Sequence, residues 1–171
     1  MSLRVPVKAS PGDRVAVLSP SFAAPAVAPA VHEQAMLRLK DLTGLIPVEF
    51  PTTRLIDASP QHRAQDINSA FADPDIKAVL ATIGGTDQIT VIPHLDAQLI
   101  HDNPKIFIGY SDNTNLHNWL WQQGITSFYG GSTQVQLGPG PFVDAIHADS
   151  LRAALITGGE LELTNPGASE D

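Results

Sequence analysis

Cysteine is absent from the 171 residues, which excludes a disulfide framework, a thiolate nucleophile and a Cys-ligated zinc site. Charge is sparse and one-sided: ten Lys and Arg stand against eighteen Asp and Glu, a net charge of -8. A chain of that sign repels phosphate backbones and acidic membrane surfaces at long range, so neither nucleic acid nor a membrane is an expected partner. No apolar run of signal-peptide length follows Met1, and the uncharged stretch 15–31 is broken by Pro20, Pro25 and Pro29, which rules it out as one spanning helix. A cytoplasmic protein is expected. There is no G-x-G-x-x-G fingerprint, no P-loop and no His-Glu-x-x-His, so no cofactor and no metal are expected by those routes.

What is present suits one domain with a sizeable core. After the turn Pro11-Gly12-Asp13, residues 14–18 form a short, β-branched apolar run of the kind buried on both faces of a sheet. Residues 29–42 carry Val31, Ala35, Leu39 and Leu42 among polar neighbours, a helical pattern closed by Gly44. Residues 46–50 contain Pro47, which cannot donate to a ladder and places this strand at a sheet edge. Ser59-Pro60 opens a helix that stops before Pro74. Residues 78–83 predict a strand, 87–92 a short helix, 93–103 a broken segment, 105–109 a strand, 126–129 another strand and 148–156 a last helix. Strands that alternate with helices and are apolar throughout imply an α/β domain of three layers, with helices on both faces of a parallel sheet.

The run Ile106-Phe107-Ile108-Gly109-Tyr110-Ser111-Asp112-Asn113-Thr114 passes from strand to helix within about two residues of Ser111. Two roles fit a Ser there. It can cap the helix, a position that Ser, Thr, Asp and Asn favour. It can also be a nucleophile at a sharp elbow, beyond the sheet edge and next to unpaired helix amides, although Asn113 stands where a Gly-x-Ser-x-Gly elbow has its second Gly. The loops at 19–21, 84–87, 111–115 and 130–134 all follow strands, and in open parallel sheets such loops share the ligand-binding edge. Gly84-Gly85 reads either as a tight turn or as a backbone that approaches a substrate oxygen, with the Asp112 N–H as a second oxyanion donor. Tyr110 and Tyr129, both at strand ends, line the site or cap the core.

A nucleophilic Ser requires a base, and none of the six histidines qualifies from the sequence. His117 lies about 240° around the helix from Ser111 and more than a turn away. His32 and His62 sit among charged residues and read as solvated, His94 and His101 fall in the broken segment, and His147 lies near the last helix. Of Trp119 and Trp121, two apart on one helix, one is expected in the core and the other exposed.

Ser19-Pro20-Ser21, Thr82-Ile83-Gly84-Gly85, Gly109-Tyr110-Ser111-Asp112-Asn113-Thr114 with Leu116-His117, and Phe128-Tyr129-Gly130 together resemble the N-terminal half of LD-carboxypeptidases, serine peptidases that include the microcin C immunity peptidase. The resemblance implies a flavodoxin-like fold related to class I glutamine amidotransferases and a Ser-His-Glu triad with Ser111 as nucleophile. It further implies Asp112 and Gly85 N–H groups as the oxyanion hole, with Gly84, Tyr110 and Thr114 as substrate-binding positions. The substrate would be a peptide, either a muropeptide or a peptidyl-nucleotide, and the sequence leaves that choice open. In the family the Glu and His come from a following domain. Residues 1–165 then form the nucleophile domain, 166–171 begin a linker, and this chain alone is expected to be inactive. Apolar surface around Tyr110, Tyr129 and residues 137–142 is expected to drive homodimer formation or leave 138–142 without a fixed place. Two positions depart from the family pattern: Thr86-Asp87-Gln88, where Asn and Ser are common, and Gly131 in place of a Pro. A stand-alone domain that binds peptides or partners without catalysis, and a flavodoxin-like nucleotide binder, are the competing readings.

Overall fold

The computed structural model describes residues 3–162; the expected linker at 166–171 and the end of the nucleophile domain lie outside them. Five parallel strands make one sheet in the order β2-β1-β3-β4-β5: β1 Arg14–Leu18, β2 Ile46–Glu49, β3 Ile76–Ala81, β4 Ile106–Gly109 and β5 Phe128–Tyr129. This is the flavodoxin-like order. Because successive side chains on a strand point to opposite faces, each central strand feeds two cores. Ala16, Leu18, Val79, Ala81 and Phe107 meet Ala64, Ile67 and Phe71 of α2 (Pro60–Ala72), Ile100 of α3 (Ala97–Asp102), and Leu116 and Leu120 of α4 (Thr114–Gln122). On the other face Val15, Val17, Leu80, Ile106 and Ile108 meet Ala35 and Leu39 of α1 (Pro29–Thr43) and Leu151 of α5 (Ala145–Arg152). The expected three layers are therefore present, and β2 with Pro47 lies at the edge.

Helix ends follow their local chemistry. Ser59 accepts from His62 N–H at 3.3 Å ahead of Pro60, Asp96 accepts from Leu99 N–H at 3.0 Å, and Gly44 closes α1 with φ 73°. Several boundaries differ from expectation. The strand placed at 78–83 is Ile76–Ala81, and the helix placed at 87–92 is two 3-10 turns, Gln88–Thr90 and Ile92–His94, since Pro93 has no N–H to extend a helix. The broken segment holds the short helix α3. The strand expected at 126–129 pairs with β4 only at Phe128 and Tyr129; the Thr126 N–H donates instead to Arg4 O at 3.0 Å. The last helix starts earlier, at Ala145, and after Arg152 continues as a π-helical turn, Ala153–Thr157.

His32 is a correction. It is fully buried, with Nε2 3.3 Å from Glu49 Oε1, and burial pushes its pKa below the usual range. Trp121 is 59% exposed while Trp119 packs on the core, the division expected for that pair. The 138–142 segment has a fixed place at its start: Arg38 of α1 donates to the carbonyls of Leu137 (2.8 Å), Gly138 (3.1 Å), Pro139 (3.1 Å) and Gly140 (2.8 Å). Phe142 beyond it is exposed.

Candidate active site

Ser111 follows β4 and opens a 3-10 turn, Ser111–Asn113, that runs into α4. Among the described residues it is the one non-glycine with positive φ, at 59°. A conformation of that kind costs about 1–3 kcal/mol and persists only where surrounding structure over-determines it. Its side chain is exposed, and neither the 3-10 turn nor α4 is capped by a side-chain hydrogen bond. Ser111 therefore does not sit as a helix cap; it projects from a strained turn at the carboxyl edge of the sheet, where open parallel sheets bind ligands.

The loops after β1 and β3 supply the constraint, together with the elbow's own helix. The Asp112 carboxylate accepts from Ser21 Oγ of the β1 loop, from Gln88 N–H (2.8 Å) beyond β3, and from Asn115 Nδ2 (3.0 Å). Asn113 is fully buried; its Oδ1 accepts from Gln88 Nε2 at 2.7 Å, and its Nδ2 donates to Ile83 O (3.1 Å) and Tyr110 O (3.0 Å). Gln88 Oε1 accepts from Leu116 N–H at 3.1 Å. The side-chain amides of Asn113 and Gln88 each have partners for both their oxygen and their nitrogen, which makes this part of the network rigid rather than costly. Behind it Arg63, 5% exposed, forks onto Asp87 at 2.9 and 2.8 Å and also donates to Ser21 O at 2.9 Å and Pro20 O at 3.2 Å.

The structure brings the sequence-derived candidates to one edge, with distinct tasks. A Cβ on Gly84 would lie 2.7 Å from Ser111 Cβ and 2.9 Å from Oγ, so only a glycine backbone can pass this close to Ser111. Gly85 faces Ser21 and Phe22 and lines an open cleft of ≈ 320 Å³ with Ile56, Arg63 and Asp87. Thr114 Oγ1 donates to Ser111 O at 2.6 Å and closes the turn. Tyr110 is half-buried at the turn's start, with extended backbone. Tyr129 Oη accepts from Ser111 N–H at 3.0 Å.

His117 is not turned toward Ser111: Nε2 lies 2.9 Å from Gly109 O and Nδ1 2.7 Å from Ser127 Oγ. Among the described residues no group of three or more His, Cys, Asp or Glu is arranged to hold a metal ion, and no helix is long and apolar enough to cross a membrane. Ser21, Gln88 and Asn113 were not singled out as site residues from the sequence, and His117 was weighed there only as a base.

Comparison with known proteins bears on the family and the fold. Residues 15–130 match the family described as the LD-carboxypeptidase N-terminal domain. A Vibrio cholerae protein that bears a carboxypeptidase name is 34% identical over 135 residues, 76% of this chain and 40% of that one. A murein tetrapeptide carboxypeptidase of Pseudomonas aeruginosa is 31% identical over 125 residues, 68% of this chain and 38% of that one. The solved structure of the microcin C7 self-immunity protein MccF, a protein of Escherichia coli, in complex with aspartyl sulfamoyl adenosine, superposes with a TM-score of 0.80 at 29% identity. That match covers 90% of this chain and 48% of the other. The chain thus spans less than half the length of these relatives.

Proposed function

The chain belongs to the LD-carboxypeptidase N-terminal-domain family, and from that premise we propose that it is the nucleophile-bearing part of a serine-type carboxypeptidase. Ser111 Oγ attacks the carbonyl carbon of a peptide amide and gives up its proton to a histidine base, itself oriented by a glutamate. The N–H groups of Asp112 and Gly85 receive the negative charge on the substrate oxygen. The base returns the proton to the departing amine, and water then releases the acyl group from Ser111 by the same route reversed. The observation that carries this reading is the φ of 59° at Ser111, held by the loops after β1 and β3 and by Tyr129, with its hydroxyl uncommitted to the helix.

The resemblance to the family, in which the Glu and His come from a following domain, assigns the base to sequence outside residues 3–162; the histidine on the Ser111 helix is engaged with Gly109 and Ser127. The substrate class follows the relatives: a muropeptide, as the name of the Pseudomonas protein states, or a peptidyl-nucleotide, as the MccF complex suggests. On this reading the enzyme acts in the cytoplasm. The experiment extends the chain to the relatives' length and assays release of the terminal residue from an L,D-tetrapeptide and cleavage of an aspartyl sulfamoyl nucleoside. One of the two is expected to turn over, with activity abolished by Ser111→Ala, and the 171-residue chain is expected to hydrolyse neither. Turnover that survives Ser111→Ala would remove the nucleophile assignment. Tight peptide binding without turnover in the extended chain would favour a binding domain instead.

A further inference from the structure

The ladder that ends at the elbow is short. β4 and β5 pair only through Ile108 with Phe128 and Gly109 with Tyr129, and two residue pairs at a sheet edge are a slender anchor for a strained turn. His117 of α4 adds a second anchor. Its Nε2 lies 2.9 Å from Gly109 O, the carbonyl that also accepts from Gly130 N–H at 2.9 Å, and its Nδ1 lies 2.7 Å from Ser127 Oγ. A carbonyl oxygen can only accept, so Nε2 carries the proton and Nδ1 accepts from the Ser127 hydroxyl. Burial lowers the His117 pKa and favours this neutral ring.

The ring has two further neighbours. Phe107 lies 4.9 Å away between centroids at 51°, and Tyr129 lies 5.6 Å away at 42°, both in the tilted range that aromatic pairs favour. Tyr129 is 67% exposed, so few other contacts fix its ring plane. Its hydroxyl nonetheless has a defined task, accepting from the N–H of Ser111.

We propose that His117 is a positioning residue for Ser111, which it does not touch: its ring fixes Tyr129, and the Tyr129 hydroxyl holds the Ser111 amide and with it the elbow. The functional weight of this role rests on Ser111 as nucleophile, but the coupling itself is a property of this chain and is tested without turnover. If His117 merely tied β4 to β5, its ring would be dispensable and any side chain donating to Gly109 O would serve.

Amide exchange and ring nitrogen shifts on the ¹⁵N-labelled chain distinguish the two. The ring should show the Nε2–H tautomer. Tyr129→Phe keeps the ring contact and removes the acceptor; Ser111 N–H should then exchange roughly fivefold faster, the loss of one hydrogen bond worth about 1 kcal/mol. His117→Gln keeps a donor for Gly109 O and removes the ring, and should accelerate Ser111 similarly while the central Val79 and Leu80 amides stay protected. Unchanged Ser111 exchange in either variant, or an Nδ1–H tautomer, overturns the proposal. Should His117→Gln lower protection throughout, His117→Phe, which restores a ring against Tyr129, must recover Ser111 protection, and failure of that rescue also overturns it. Because none of these readouts measures hydrolysis, a negative result leaves the nucleophile assignment standing, and an inactive extended chain with a rigid elbow leaves this coupling standing.

Discussion

Replacing Gly84 with alanine tests how closely the β3 loop passes the elbow. The added methyl would meet Ser111 Cβ at 2.7 Å, Ser111 Oγ at 2.9 Å and Asp112 N at 3.3 Å. Carbon atoms rest at about 3.5–4.0 Å from one another, so roughly 1 Å must be found. Rotating the Ser111 hydroxyl away does not provide it, since the nearest atom is Cβ. The elbow backbone is held through Tyr129 and Asn113, and Gly84 itself accepts from Phe22 N–H at 3.3 Å. Overpacking of this kind costs about 1–3 kcal/mol. With a urea dependence of about 1–3 kcal/mol per molar for a small protein, the unfolding midpoint should fall by roughly 1 M. Unfolding is followed by the fluorescence of Trp119 and Trp121. In the extended chain a displacement near 1 Å at the nucleophile should lower turnover by about 10²-fold. Gly12→Ala is the control: with φ 94° and nothing within 4 Å of the added carbon, it should destabilise through backbone strain and leave turnover unchanged. A Gly84→Ala protein with the parental midpoint and parental turnover would refute the close approach of Gly84 to Ser111.

Three further outcomes follow from the charges and surfaces. His32 and His117 both have pKa values lowered by burial; the unfolded chain takes up their protons first, so stability is full above about pH 6.5 and is lost as pH falls through the lower folded values. Glu49, lowered by its hydrogen bond to Arg54, extends the loss to more acidic pH, and midpoints that stay flat from pH 7 to pH 4 would contradict this. Asp112→Ala strips the acceptor from Ser21, Gln88 and Asn115 and leaves the Gln88 N–H unpaired, at a cost of about 1–3 kcal/mol read from urea unfolding. Light scattering over a concentration series should show self-association through the edge that exposes Tyr129 and Phe142, and a strict monomer at every concentration would argue against that interface.

The sheet was legible in the sequence because β1, β3 and β4 carry the buried apolar runs 15–18, 78–81 and 106–109, while Pro47 marked the edge. The elbow was legible for a local reason, a strand and a helix too close together for an ordinary loop. The support around it was not, since Ser21, Gln88 and Asn113 stand far apart in the chain and meet only because parallel strands deliver their loops to one edge. His32 was misjudged from its neighbours Glu33 and Gln34. A signal existed in its spacing: His32, Ala35, Leu39 and Thr43 are the buried face of α1, the i, i+3, i+7, i+11 pattern of a core stripe.

The alternation in β4 carries a last consequence. Ile106 and Ile108 belong to one core and Phe107 to the other, so inserting or deleting a single residue within Ile106–Gly109 would exchange the occupants of both faces and rotate Ser111 half a turn away from the Gly84 backbone. The address of Ser111 is thus written in the hydrophobic register of the strand before it. By the same logic the exposed connection at Asn103, ahead of β4, can change length without moving the nucleophile, which makes it the place where a tag or an insertion should leave the elbow intact.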